Sequence, residues 1–534
     1  MPLLSALSAT APVLPSLQVD APPQTPVAVQ GINEPLTELV IPAGDGNVLR
    51  PGDPGFNDLL PFNLRTTSRP LAIVQCLTAN GASLAVKWAR RHEIAHCTHA
   101  GGHSYEGFSS CSGLMVDVRK MNGIAIDATN ETARLGAGCL LGDIAVALFK
   151  HRLALPAGSC RPVGVAGLAL GGGHGLSSRK FGLTCDNLIS AHIVAANGDE
   201  LDASVNENPD LFWALRGGGG GNFGIVTEFT FKVHPVDRVI LFSISWPDDA
   251  FRTAIIRTWQ SLTQSAPDEL SFLLHVNGGL GRISHLGCNG LYFPRNASET
   301  PSVDDLTTAL GSLLSIGNPS FRPKEVNYLD AVKLLTGDGD PNRVYFKAKS
   351  DYSVEAWSDE AIHTFTSALR GASSPIATIF EAYGGSINRI GETETAFPHR
   401  GSTLFCLQYY LQWSSSSLTN RNVAAVRALY DAMRPYLPGY SYVNYIDADL
   451  QDYARSYYKG NLVRLQAVKQ QYDPDNFLQF AQSIPLPTGA QRMVQKREYG
   501  SESTPVTIRA GAIGEFERYA SDPQSGLPRR RRRR

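Results

Sequence analysis

Apolar residues in the first half of the chain fall in short clusters whose spacing alternates between the period of a strand and that of a helix. Residues 71–76 read as a strand and residues 81–91 as a helix with Leu84, Val86 and Trp88 among its apolar positions. Residues 94–98 read as a second strand that runs into a glycine loop. Further strands are expected at 114–118, 123–126 and 133–136, a helix at 141–150, and then a glycine-rich stretch over 158–175. Residues 187–201 read as a hairpin that turns at Asn197-Gly198, a dipeptide suited to tight β-turns. A helix at 210–216 and a strand at 225–233 follow. After Pro235 the glycine clusters stop, and helices and strands alternate to about Gly439 with a polar break at 336–342. Residues 404–413 form a strand that carries Cys406, Gln408, Tyr410 and Gln412 on one face, which suits a polyhydroxylated ligand. The pattern predicts an α+β protein: an irregular leader (1–60), a first domain (61–236), a second domain (237–439), a returning segment (440–485) and a polar, disordered tail (486–534).

A chain of 534 residues has room for two large domains, which excludes a small binding module as the whole protein. No apolar run approaches the roughly 18 residues that would span a bilayer. The 48 Lys and Arg nearly balance 49 Asp and Glu, but residues 529–534 are all arginine. The rest carries 42 positive against 49 negative charges, a mildly acidic body that argues against a nucleic-acid partner. No Lys or Arg precedes Arg50, so the charged start of a signal peptide is missing and the compartment stays open. Glycine is in excess, 50 residues or about 9% against a usual 7% or so, and much of that excess lies in two clusters where a cofactor is expected. The eight cysteines form no CxxC pair and no zinc-like spacing, so neither a metal knuckle nor a thioredoxin-type redox pair is indicated.

Two motif matches are set aside on context. His92-Glu-Ile-Ala-His96 fits the zinc-hydrolase pattern, which needs both imidazoles on one helix face, yet β-like sequence begins at Ile94; no metal site is expected. Gly219, Gly221 and Gly224 fit a dinucleotide fingerprint, but a helix precedes them and a strand follows, the reverse of the required order. What remains is a set of glycine loops, two of which carry a reactive side chain. They are Ala100-Gly-Gly-His-Ser-Tyr-Glu-Gly107, with His103, and Gly158-Ser-Cys-Arg-Pro-Val-Gly164, with Cys160, followed by Gly167-Leu-Ala-Leu-Gly-Gly-Gly-His-Gly175.

These loops, with Asp210-Leu-Phe-Trp-Ala-Leu-Arg-Gly217 and Asn222-Phe-Gly224, resemble the FAD-binding half of the berberine-bridge-enzyme-like oxidases, PCMH-type flavoproteins of the vanillyl-alcohol-oxidase superfamily. Tyr442-Val-Asn-Tyr-Ile-Asp447, Tyr457-Tyr-Lys-Gly-Asn461, Tyr472-Asp-Pro-Asp-Asn-Phe477 and Gln482-Ser-Ile-Pro485 are similar to that family's closing motif, with a pattern like that of glucooligosaccharide-oxidase-like members. The resemblance implies a PCMH-type FAD domain over 61–236 and 440–485, beside a substrate domain of antiparallel sheet covered by helices. It implies FAD bound twice, to His103 and to Cys160. It sets Gly101, Gly102, Ser104, Gly167, Gly171, Gly172, Gly173, His174, Gly175, Gly221, Asn222, Gly224, Ile225 and Asn444 against the cofactor.

By position in the closing motif, Tyr445 is the expected proton acceptor, with Tyr105 sharing the proton and Glu381, Gln408 and Tyr410 as candidate substrate contacts. A phenol titrating near 10 needs a partner before it can act as a base at neutral pH. The implied reaction is oxidation of an alcohol, the anomeric carbon of a mono- or oligosaccharide, to a lactone, with O2 reduced to H2O2. Oxidation or cyclisation of a secondary metabolite is the alternative within the family. A zinc hydrolase at His92 and His96 is the alternative of another class.

Overall fold

The computed structural model describes residues 36–336 and 343–487; residues 1–35 of the leader, most of the polar break and all but the first two residues of the tail lie outside the described residues. Among these residues, β1 (Gly46–Leu49), β2 (Ala72–Cys76), β3 (His96–His99) and β4 (Leu114–Asp117) form one sheet in the order β1-β2-β4-β3, antiparallel at β1 and parallel elsewhere. Residues 46–49, within the expected irregular leader, are thus a strand. The strand has four residues with a single buried one, too few for alternation to register.

The crossover from β2 to β3 is the helix Ala79–Arg91, which begins two residues earlier than its apolar spacing indicates because the Thr78 hydroxyl accepts the Gly81 N–H at 3.2 Å. It buries Ala82, Ala85, Val86, Trp88 and Ala89 and stops at His92, just before Glu93 takes a left-handed φ of 53°. The two HExxH histidines therefore sit on a helix end and on a strand. His92 lies 3.3 Å from Glu38, whereas His96 is buried against the Phe477 ring.

The second sheet is built from β5 (Ile124–Asp127), β6 (Thr132–Gly136), β8 (Leu188–Val194), β9 (Glu200–Ser204) and β10 (Ile225–Lys232), in the order β5-β6-β10-β8-β9. β8 and β9 are the expected hairpin, and Gly198 has the positive φ its turn requires. The helix Pro209–Leu215 precedes the glycine cluster and β10 follows it, so the dinucleotide order is reversed as read. A short pairing joins β7 (Leu153–Ala154) to β11 (His234–Pro235).

The third sheet is antiparallel and seven-stranded among the described residues. Its strands are β12 (Arg238–Ser245), β13 (Leu270–Gly279), β14 (Arg282–Tyr292), β15 (Ser320–Asn327), β16 (Tyr345–Ser353), β17 (Ala377–Ala382) and β18 (Phe405–Trp413), ordered β15-β12-β14-β13-β17-β18-β16. Helices Arg252–Ser265, Asp359–Gly371 and Thr419–Ala432 cover one face, where Trp259, Phe365 and Val426 pack on Phe272, Phe380, Phe405 and Leu407. The chain then returns to the first core through Tyr457, Tyr458, Leu465, Val468 and Ile484. The result is an α+β architecture in which the uncovered face of the large sheet meets the glycine loops. No helix among the described residues is long and apolar enough to cross a membrane.

Candidate active site

Between those loops and β13, β17 and β18 lies a cavity of about 1040 Å³. Loops 100–107 and 158–164 back onto each other along its wall: a Cβ added at Gly101 would sit 2.2 Å from the Gly164 amide nitrogen, and one added at Gly164 would sit 2.5 Å from that of Gly101. This close approach, open only to glycine, brings His103 and Cys160 to one cavity. The His103 ring stacks on Phe62 with centroids 4.9 Å apart. Burial, reinforced by His99, lowers its pKa to about 4 against an opposing contact with the Pro162 backbone, so it is a neutral nucleophile at neutral pH. Cys160 is open to the cavity rather than to bulk solvent. The enclosing walls raise its pKa, Glu381 raises it further, and Ser159 opposes both.

The opposite wall carries the proton-transfer candidates. In the β17/β18 register Glu381 lies across from Cys406, Ile379 from Gln408 and Ala377 from Tyr410, so these side chains share the face turned to the cavity. Tyr445 donates to Glu381 Oε1 at 2.6 Å, and Gln408 donates to the Tyr105 hydroxyl at 2.9 Å. The Tyr105 and Tyr445 rings stack at 5.6 Å, 9° from parallel. Burial lifts the Glu381 pKa to about 7, against hydrogen bonds from Tyr445 and the Cys406 thiol that lower it. Its Oε2 accepts no hydrogen bond among the described residues and lies 3.9 Å from His174 Nδ1, whose ring stacks on Tyr383. Burial, then Glu381, holds the Tyr445 phenol well above its ordinary pKa, which keeps it protonated at neutral pH.

Two devices fix these groups. Tyr442 Oη accepts the backbone N–H of Gly173 at 2.9 Å and of His174 at 3.2 Å, while the Asn444 amide donates to Tyr442 and to the Leu168 carbonyl, both at 2.9 Å. On the edge strand β16, buried Lys347 reaches Glu106 at 2.7 Å and Asp447 at 2.6 Å, next to Tyr105 and two residues beyond Tyr445; Lys349 also pairs with Asp447. Burial alone would lower the Lys347 pKa, but Asp447 and Glu106 outweigh it and hold the ammonium charged. A Lys347→Met variant leaves these two carboxylates under-compensated and is expected to lose about 3 kcal/mol of stability, measured by chemical denaturation. An unchanged unfolding midpoint would show the network to be dispensable.

The glycines test whether the cavity suits the flat, anionic FAD expected from the sequence. A Cβ at Gly167 would meet nothing within 4 Å, and at Gly220 and Gly221 the nearest atoms would lie 3.8 and 3.6 Å away, so bare backbone faces the cavity there and the residues fit. Gly101, Gly102, Ser104, His174, Gly175, Asn222, Gly224 and Asn444 line it too, as do Tyr410 and Gln412. Gly171, Gly172 and Gly173 do not, contrary to expectation. Added Cβ atoms would strike Asn444 at 2.1 Å, Phe397 at 2.7 Å and Thr184 at 2.3 Å, so these glycines admit protein neighbours rather than a cofactor. Ile225 is likewise in the core, not the wall. Sequence reading missed Phe62, Phe346, Asn277 and Ser284, which also line the cavity, and the Lys347 network; the one available signal was Lys347-Ala-Lys349 inside an otherwise buried strand.

Residues 70–204 match a family described as FAD binding domain, and residues 441–485 match berberine and berberine like. The chain is 34% identical to the uncharacterised FAD-linked oxidoreductase YgaK of Bacillus subtilis, over 82% of this chain and 97% of that one. Among solved structures it is similar to Physcomitrella patens BBE-like 1 (TM-score 0.76, 31% identity, 83% of this chain and 98% of that one). It is also similar to a chitooligosaccharide oxidase (TM-score 0.76, 26% identity, 83% and 97%).

Proposed function

Because the chain belongs to the berberine-bridge-enzyme-like FAD-linked oxidoreductases, we propose that it oxidises the anomeric carbon of a mono- or oligosaccharide to a lactone and uses O2 as final acceptor, giving H2O2. When bound, FAD supplies the acceptor for the hydride removed from the substrate C–H. The first two sheets and the segment 441–485 would hold it, covalently through His103 and Cys160, and the seven-stranded sheet would roof the substrate.

The Tyr445–Glu381 hydrogen bond carries the reading. A substrate hydroxyl within reach of Tyr445 gives its proton to the phenol oxygen while the phenol's own proton passes to Glu381 Oε1, so no isolated phenolate forms. With a pKa of about 7, Glu381 accepts that proton when ionised, and turnover falls as pH drops below this value. Gln408 fixes the Tyr105 hydroxyl beside this pair. Asn277, Ser284, Gln408, Tyr410 and Gln412 line the same cavity, a polar set that suits hydroxyl groups. The likeness to a chitooligosaccharide oxidase points the same way.

The aromatic walls Phe62 and Phe346 favour a second reading, an aromatic secondary metabolite as the alcohol. Anaerobic mixing of the holoprotein with aldoses, chito- and gluco-oligosaccharides and aromatic allylic alcohols separates the two. Sugars are expected to bleach the flavin, and peroxide to appear once air is admitted. Bleaching by aromatic alcohols alone would move the assignment to the second reading, and bleaching without peroxide would make the protein a dehydrogenase.

A further inference from the structure

Residues 61–66 belong to no helix or strand, yet they run along β16, the edge strand of the seven-stranded sheet. The Leu64 N–H donates to the Val344 carbonyl at 2.9 Å, and the Arg343 side chain donates to the Pro61 carbonyl at 2.9 Å. Asn63, fully buried, is the hub of this strap. Its Nδ2 donates to the carbonyls of Tyr105 at 2.7 Å and Phe346 at 3.2 Å, while its Oδ1 accepts the backbone N–H of Arg65 at 3.0 Å and of Phe346 at 3.4 Å. One side chain thereby ties the strap, the edge strand and the loop that carries His103. Its neighbour Phe62 lines the cavity, with its ring 4.9 Å from that of His103 and 27° from parallel, and 5.5 Å from that of Phe346.

From this arrangement we propose that Phe62 is a positioning residue for flavin attachment: its ring holds the His103 imidazole edge-on to the cavity, and Asn63 holds the strap that carries Phe62. A ring whose face is covered by another ring turns its edge outward, and the edge of an imidazole carries both nitrogens. His103 follows two glycines, Gly101 and Gly102, on a loop whose own sequence does little to orient it. Phe62 has this role only if the bond to His103 proposed above forms. In that step a ring nitrogen of His103 loses its hydrogen and bonds to a methyl carbon of the isoalloxazine, which loses one hydrogen in turn. The two electrons pass through the flavin to O2, which takes them with the two protons as H2O2. Such a bond needs the nitrogen aimed at the carbon, and a misplacement of about 1 Å slows a reaction of this kind on the order of 100-fold.

Each bond is isolated by removing the other residue. Full-length Cys160→Ala, in which only His103 can attach, and His103→Ala, in which only Cys160 can, are produced in riboflavin-limited cells, each with and without Phe62→Leu. The leucine keeps an apolar side chain but has no ring face. The proteins are mixed with FAD in air, and flavin that stays in the acid precipitate is followed with time. In Cys160→Ala it is expected on the tryptic peptide 92–119, which has no internal Lys or Arg, with a mass gain of FAD less two hydrogens. Phe62→Leu is expected to slow its appearance about 100-fold, to leave the Cys160 bond at its own rate, and to leave the native protein yellow after desalting. Phe62→Tyr, which keeps the ring, is expected to restore the His103 rate. An unchanged His103 rate in Phe62→Leu, equal slowing of both bonds, or no rescue by Phe62→Tyr would overturn the positioning role and leave the bond standing. Cys160→Ala that never holds acid-stable flavin would overturn the bond, and the role with it.

Discussion

A Tyr445→Phe variant is expected to reduce its flavin about 100- to 10,000-fold more slowly than the wild type at saturating substrate. The magnitude follows from removing the hydroxyl through which the proposed proton path reaches Glu381, while the ring keeps its stack on Tyr105 and its edge contact with Tyr442. Glu381→Gln tests the other end of the relay. The amide keeps the shape of the carboxyl but cannot take a full proton, so a loss of similar size is expected. The wild-type rate climbs as pH rises through about 7, where the carboxyl ionises, and this climb disappears in the Gln variant. Stopped-flow reduction across pH measures both. Wild-type rates in Tyr445→Phe would remove the phenol from the proton path, and an unaltered pH profile in Glu381→Gln would remove the carboxylate.

The second large effect concerns cofactor retention. If both proposed bonds form, acid precipitation of the wild type and of either single variant, His103→Ala or Cys160→Ala, is expected to leave yellow colour in the pellet, and the double variant to release it to the supernatant. Absorbance of the two fractions gives the answer. Release from one single variant would show that only the residue removed there is attached. The two proposed bonds should also differ in their pH requirement: the His103 imidazole is neutral at neutral pH, whereas the Cys160 thiol is held above its ordinary value. The sulfur linkage is therefore expected to form faster as pH rises.

Local patterns were legible where neighbours in sequence are neighbours in space. The hairpin at Asn197-Gly198, the helix ending before His92 and the helix–glycine–strand order around Gly219 were readable from short-range turn and capping chemistry. The short strand β1 was not, because its evidence is a pairing with β2 rather than a period of its own. Glycine gave the least transferable signal. It marks a close approach without naming the visitor, and Gly171 admits Asn444 whereas Gly221 borders the cavity. Glu381 was visible only as a loose substrate candidate. Its place beside Tyr445 depends on the β17/β18 register and on a segment 64 residues further along the chain. Lys347 acquires its meaning only when Glu106 and Asp447, far apart in sequence, converge on it.

The return of residues 441–485 to the first core bears on the order of events during synthesis. A nascent chain that has emerged to about residue 440 already presents the imidazole, the thiol and the sheet above them, but lacks the tyrosine that bonds to Glu381 and the asparagine that seats against Gly171. One side of the chamber stays open until that last stretch docks. A large dinucleotide can enter while the doorway is unbuilt, and the ability to turn over a substrate arrives with the wall that shuts it.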